Sequence, residues 1–353
     1  MATVTKTIGT SSRDYSTITA WEADLDSSSM MGGVYGSGDA AIGECYGDSD
    51  FDEKVTIDGG VSIGLASVKL TVPEAQRHDG TEGSGVVIQY SGTSTPSFIL
   101  KRSTLTVEWI EFDLSSAGSG VLSCVNFGSN AHTNVFFKNN IIHDLVNQSG
   151  DVNGIYIYGT GNSSNTRHCL NNIIYNIKDS NDSAFGIRFA TSNYAANIYN
   201  NTVYFVETGG VSEDAYCISI EDTEAVVKNN IAARPVGGDD LCFGGSGFSG
   251  ATTDYNLSTD STATGTNSVT GEAYGDLFLS TGVGSEDLRL KAGADAIGAG
   301  VDLGTSPTGV NIDIEGRDRD AQGDTWDIGA DQTAAASTAL PKAMNTYKQM
   351  RNN

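Results

Sequence analysis

Apolar and polar residues alternate in short runs along the chain. Four runs align: Gly154-Ile155-Tyr156-Ile157-Tyr158, Gly186-Ile187-Arg188-Phe189, Cys217-Ile218-Ser219-Ile220 and, more faintly, Leu241-Cys242-Phe243. A period of two describes a strand with one buried face. The pattern predicts that Ile155, Ile187 and Ile218 stack inside, with Ile157, Phe189 and Ile220 as a second inner column. Tyr156, Arg188 and Ser219 are then expected to point outward.

A second repeat is set between these runs. Its copies are Phe137-Lys138-Asn139-Asn140-Ile141-Ile142-His143, Cys169-Leu170-Asn171-Asn172-Ile173-Ile174-Tyr175, Ile198-Tyr199-Asn200-Asn201-Thr202-Val203-Tyr204 and Val227-Lys228-Asn229-Asn230-Ile231-Ala232-Ala233. A weaker copy is Asp254-Tyr255-Asn256-Leu257, and an earlier one is Val107-Glu108-Trp109-Ile110-Glu111-Phe112. The Asn pairs begin at 139, 171, 200 and 229, a step of about 30 residues. Repeats of that length, holding short strands and no helical pattern, predict a solenoid whose turns lie in parallel and in register. Asn tolerates left-handed backbone angles at a tight bend, and its amide can bond the same Asn one turn away. Asn139, Asn140, Asn171, Asn172, Asn200, Asn201, Asn229 and Asn230 are therefore expected to form a structural ladder.

These motifs resemble the right-handed parallel β-helix, or pectin-lyase-like, family over about residues 85 to 330. The resemblance implies an all-β, single-stranded right-handed parallel β-helix with a short N-terminal capping helix. It implies no particular activity, because the fold carries lyases, hydrolases, phage tailspikes and adhesins.

Three regions are expected: 1–60, an N-terminal cap with the first strands; 61–332, the β-helix with closing coils; and 333–353, an Ala/Thr linker with a basic tail. In the first, Ser16 or Thr17 would cap a helix whose apolar side carries Ile18, Trp21 and Leu25. Toward the other end, Asp287-Leu288-Arg289-Leu290 through Ile297-Gly298, Asp313-Ile314-Glu315-Gly316-Arg317-Asp318-Arg319 and Trp326-Asp327-Ile328-Gly329-Ala330-Asp331 resemble the terminal segment of bacterial and phage-borne β-helix proteins. That implies closing coils in which Arg317 and Arg319 pair with Asp313, Asp318 or Asp327. No cofactor is expected. Calcium is the one ion that Asp313, Asp318, Asp320, Asp324 and Asp327 would suit. The tail places Leu340, Lys342, Met344, Tyr347, Lys348 and Arg351 near helical spacing, as an attachment element for a partner.

Composition narrows the function. The 353 residues carry 44 acidic and 20 basic side chains, a formal charge of −24. This argues against nucleic acid and against anionic membrane surfaces. The five cysteines are widely spaced and form no Cys-x-x-Cys pair, so free buried thiols are expected rather than zinc. The N-terminal residues lack a secretory pattern. No lyase constellation, nucleophile elbow or catalytic triad is legible, so no catalytic residue is assigned.

Lys138, His143, Arg167, His168, Arg188 and Lys228 are expected to face outward. His143, Tyr175 and Tyr204 share one repeat position and would form an aromatic column. With Tyr156 and Arg188 they are the candidate glycan contacts. The acidic clusters, such as Glu213-Asp214 and Glu221-Asp222-Glu224, read as solvated surface. The leading expectation is a non-enzymatic virion protein of a tailed phage, a capsid decoration or head-fibre subunit, made in the host cytoplasm. It would be a homotrimer, tied to a capsid or tail protein through its C-terminal tail, with host glycans as further partners. The alternatives are a tail spike or fibre, a polysaccharide lyase or endoglycosidase acting on host glycans, and a bacterial surface adhesin.

Overall fold

The computed structural model describes residues 2–27, 33–93, 96–128, 132–148, 150–160, 166–192, 194–323 and 325–334. Among them the strands form three parallel sheets of nine, nine and seven strands, plus one antiparallel hairpin. The chain visits the three sheets in turn, which makes it an all-β, right-handed parallel β-helix. In the best-formed turns, Val135–Lys138, Thr166–Leu170, Ala195–Tyr199 and Ala225–Lys228 lie in the first sheet. Ile141–His143, Ile173–Asp179, Thr202–Thr208 and Ile231–Val236 lie in the second. The third contains Ser123–Phe127, Val152–Thr160, Ala184–Ser192, Asp214–Ile220 and Asp239–Gly244.

Register follows the repeats. Ile155, Ile187 and Ile218 pair in one inner column, and Ile157, Phe189 and Ile220 in the next. All six are fully buried. Tyr156, Arg188 and Ser219 form the outward column between them. Just before, the third sheet turns two consecutive residues inward. There Gly154 and Gly186 bring the chain so close to Ile174 and Val203 that a Cβ would collide with them. The first sheet departs from expectation at one point. Arg167 aligns with Val135 and Ala196 and points into the core, where it donates to the Tyr158 and Gly128 carbonyls and stacks on Tyr194.

The Asn pairs make the corner between the first and second sheets, and the two members do different work. The first member takes the left-handed conformation in every pair, with φ of 53° to 56° at Asn139, Asn171, Asn200 and Asn229. Trp109 and Tyr255 adopt it in the outlying copies. The second member builds the ladder. Asn140, Asn172, Asn201 and Asn230 each donate a backbone N–H to the amide oxygen of the next, ending on Asn256, at 3.0 Å throughout. Their amide nitrogens reach carbonyls of preceding turns, as Asn201 does to Cys169 at 2.9 Å.

The N-terminal end is closed by the helix Ile18–Asp24. Thr17 caps it by accepting from the Ala20 N–H. Glu53 accepts from the Ile18 and Thr19 N–H groups. Ile18, Trp21 and Leu25 are fully buried on the end of the core.

The C-terminal segment differs from the expected closing coils. After the hairpin Phe278–Ser280 and Asp287–Leu290, the described residues of 291–332 add no strand to the three sheets. They run along the flank as a strap, docked on the first Asn of each pair. Asn229 bonds Val301, Asn171 bonds Gly309, Asn200 bonds Val310, and Asn139 bonds the Ile312 and Asp313 carbonyls. The left-handed bend turns these amides outward, so they are docking groups more than ladder rungs. Of these four, Asn200 also makes an amide–amide bond, to Asn171 at 3.0 Å.

The strap and the hairpin before it bury an apolar layer over the second sheet. Ile141, Ile173, Tyr175, Tyr204 and Ile231 pack against Leu288, Ile314, Ile328 and Ala330. Trp326 and Val310 cover Leu170 and Tyr199 of the first sheet. Arg319 is wholly buried and holds the strap together by donating to the Gly329 and Ala330 carbonyls at 2.8 Å. Arg317 pairs with Asp313, Glu315 and Asp331.

Candidate functional site

The second sheet carries the predicted aromatic column in register, His143 beside Tyr175 beside Tyr204. His143 and Tyr175 stack at 5.2 Å with nearly parallel rings. The column is not an open platform. The three residues are 4%, 3% and 0% exposed, because the strap and the loop around Glu82 cover them. Tyr175 donates to Glu82 at 2.6 Å, and Arg234 donates to the Tyr204 hydroxyl at 2.7 Å. His143 sits between Asp144 at 3.0 Å and Glu111 at 3.1 Å. Burial alone would lower its pKa, but the two carboxylates outweigh burial and hold it up at about 10.

Two groups of ligand-type side chains converge among the described residues. One is Glu82, His143 and Asp144, and the other is Asp313, Glu315 and Asp331. In the second, Arg317 already places a cation among the carboxylates. Burial raises the Asp313 pKa and, with Asp331, lifts that of Glu315 to about 7. Among the described residues, Asp313, Asp318, Asp320 and Asp327 do not form one ligand group. Asp327 accepts from Gly298 and Thr333, Asp318 from Asn311 and Asp320, and Asp320 from Trp326. Asp324 lies outside the described residues, as do Leu340, Lys342, Met344, Tyr347, Lys348 and Arg351 of the tail.

The outer face of the third sheet is an open surface with chemical character. Arg188 stands at its centre. Its Nε donates to Glu221 and its Nη1 to Asp151, both at 2.7 Å. The guanidinium also lies over the rings of Phe185 at 4.3 Å and Tyr156 at 5.6 Å. Two clefts meet at this residue. One, of about 520 Å3, is lined by Phe185, Asp214, Tyr216, Glu221 and Phe248 among others. The other, of about 380 Å3, is lined by Asn126, Asp151, Asn153, Tyr156 and Tyr158. Tyr156 and Tyr158 stack at 4.9 Å, two residues apart on one face of the strand. Apolar ring faces beside fixed polar groups suit a ring with one apolar and one hydroxylated side.

Tyr156 and Arg188 were legible as outward residues. Asn153, Phe185 and Tyr216 were not singled out, although they are in register with one another. Each lies two residues before Ile155, Ile187 or Ile218, so strict alternation would place it on the inner face; the extra inward residue at Gly154 and Gly186 turns this column outward instead. Asp214 and Glu221, read as solvated acids, enter the groove instead. The five cysteines are free and buried, as expected, and burial pushes the thiols of Cys45, Cys124, Cys169 and Cys217 up.

Comparison with protein-family models, curated proteins and solved structures finds no match to the chain. The β-helix assignment therefore rests on the repeat and the sheets themselves.

Proposed function

We propose that the chain is a non-enzymatic structural protein that presents the third-sheet groove to glycans on the surface of a virus particle, in the manner of a tailed-phage decoration or head-fibre subunit. The observation that carries glycan binding is the pair of clefts joined at Arg188, with Tyr156 and Tyr158 stacked in one and Phe185, Tyr216 and Phe248 lining the other. The non-enzymatic reading is supported by the state of the acids. Asp151 and Glu221 are both bonded to Arg188, whereas Glu315, with its pKa lifted to about 7, belongs to the strap. A general acid needs such a raised pKa beside the scissile bond.

Placement on a particle draws on the resemblance to phage-borne β-helix proteins and on the basic tail. The homotrimer belongs to the same reading. Glycan-array binding that falls on Tyr156→Ala and Tyr158→Ala tests the groove. Cryo-electron microscopy of particles tests the placement, and absence of the chain from every particle refutes it.

A second reading, an endoglycosidase, is favoured by one observation: Asp214 and Glu221 line the same cleft. Release of reducing ends from a bound glycan, abolished by Asp214→Asn, would establish it.

A further inference from the structure

We propose that the cleft around Asn126 and Asn153 is a subsite for a hydrogen-bond-donating sugar, neutral or amine-bearing, and that it rejects carboxylate-bearing sugars. This rests on the saccharide-binding reading of the groove. It goes further in naming the class of ligand from the cleft's own chemistry.

Asn153 is 4% exposed and Asn126 8%, and both line the cleft. Their amide oxygens have no hydrogen-bond partner. For Asn153 the orientation is fixed from the other side: its amide nitrogen donates to the Leu122 and Asp151 carbonyls at 3.2 and 3.3 Å. The oxygen is therefore the atom left unmet. A buried acceptor without a donor is costly, and a ligand that supplies one recovers that cost on binding.

The surrounding charge points the same way. Arg188, the cation of the groove, is engaged by two carboxylates, Asp151 and Glu221. One guanidinium against two carboxylates leaves the cleft negative, within a chain of formal charge −24. Hydroxyl and ammonium groups satisfy unmet amide oxygens and a negative field. A uronate carboxylate meets acceptors and like charge, and rejection of that kind is a source of specificity. The stacked pair Tyr156 and Tyr158 supplies the face on which a sugar ring lies.

The test uses the full chain on a printed array of neutral, amine-bearing and carboxylate-bearing glycans, followed by calorimetry on the strongest hit. The expected result is binding confined to neutral and amine-bearing glycans, with carboxylate-bearing counterparts at least about tenfold weaker. Asn126→Ala and, separately, Tyr158→Ala should each weaken the best hit about tenfold, with the thermal midpoint checked to confirm folding. Asn153→Ala serves as a third variant, read only if its circular dichroism matches the parent.

Three results overturn the proposal. Preferential binding of carboxylate-bearing glycans removes this inference and leaves the groove as a saccharide site. Neutral hits that respond to Tyr216→Ala but not to Asn126→Ala or Tyr158→Ala move the site to the other cleft. No binding to any glycan removes the saccharide reading itself.

Discussion

The outer faces of the second and third sheets begin from the same ingredients and end in different environments. Each presents a repeating outward column with aromatic rings, His143, Tyr175 and Tyr204 on one and Tyr156 followed by Arg188 on the other. In the first column Tyr175 and Tyr204 are roofed by the strap and become part of a second apolar core. The second stays open and forms a groove. An outward aromatic repeat is thus not by itself a binding platform. What decides is whether a distant part of the chain lies down on it.

The largest effect should come from unroofing the covered face. Ile328→Ala removes a fully buried side chain between the strap and the second sheet, and should cost about 4 kcal/mol. Denaturant unfolding measures that cost. Hydrogen exchange should show the strands Ile141–His143 and Ile173–Asp179 losing protection while Val152–Thr160 changes little. Equal loss on both faces would show that the strap does not distinguish them.

Next comes the charged centre at the start of the same column. His143→Gln leaves Glu111 and Asp144 facing each other without their cation and should cost about 3 kcal/mol. The sign of the pH effect follows from the raised pKa. Against an ordinary value of 6.5, a folded value of about 10 means that the contribution of His143 is complete below about pH 6.5. It is lost as the pH rises through about 10. Glu315, raised from 4.5 to about 7, acts in the same direction at lower pH. His78 and His168 act oppositely. Burial depresses both to about 4, so their contribution is present above pH 6.5 and is lost as the pH falls through about 4. Stability measured from pH 4 to 10 should therefore fall at both ends, and His143→Gln should flatten the alkaline fall.

The corner between the sheets should respond less. Asn201→Ala removes one ladder rung and leaves the Asn172 N–H and the Cys169 carbonyl unmet, a loss of about 2 kcal/mol by denaturant unfolding. The open face should respond least in stability. Arg188→Gln breaks two partly exposed ion pairs and should change the unfolding free energy by at most about 1 kcal/mol. The same substitution should abolish glycan binding on the array. A large stability loss there would mean that the groove is a structural element like its covered counterpart.

Local regularity was legible in the sequence. Ile155, Ile187 and Ile218 announced an inner column because strand alternation leaves each residue only two faces. The Asn pairs announced a corner, because few side chains tolerate the left-handed bend. The strap was not legible. Its contacts join residues such as Asn139 and Asp313, which are 174 positions apart and belong to no shared period. For the same reason the burial of Tyr175 and Tyr204 could not be read from their own repeat. The groove fell between these cases. Arg188 was found, while Asn126 and Asn153 were hidden because a polar residue facing outward looks like ordinary surface until its unmet oxygen is seen. Arg167 reversed expectation because it finds the Tyr158 and Gly128 carbonyls inside the core.

The strap also changes how the molecule comes apart. A plain solenoid behaves as a one-dimensional array in which each turn knows only its neighbours and the ends can peel one turn at a time. Here a single segment fastens the turns from Asn139 to Asn229 to one another. Those turns should melt together as one cooperative block, and proteolysis of partly opened molecules should release the turns before residue 130 long before it nicks those the strap spans.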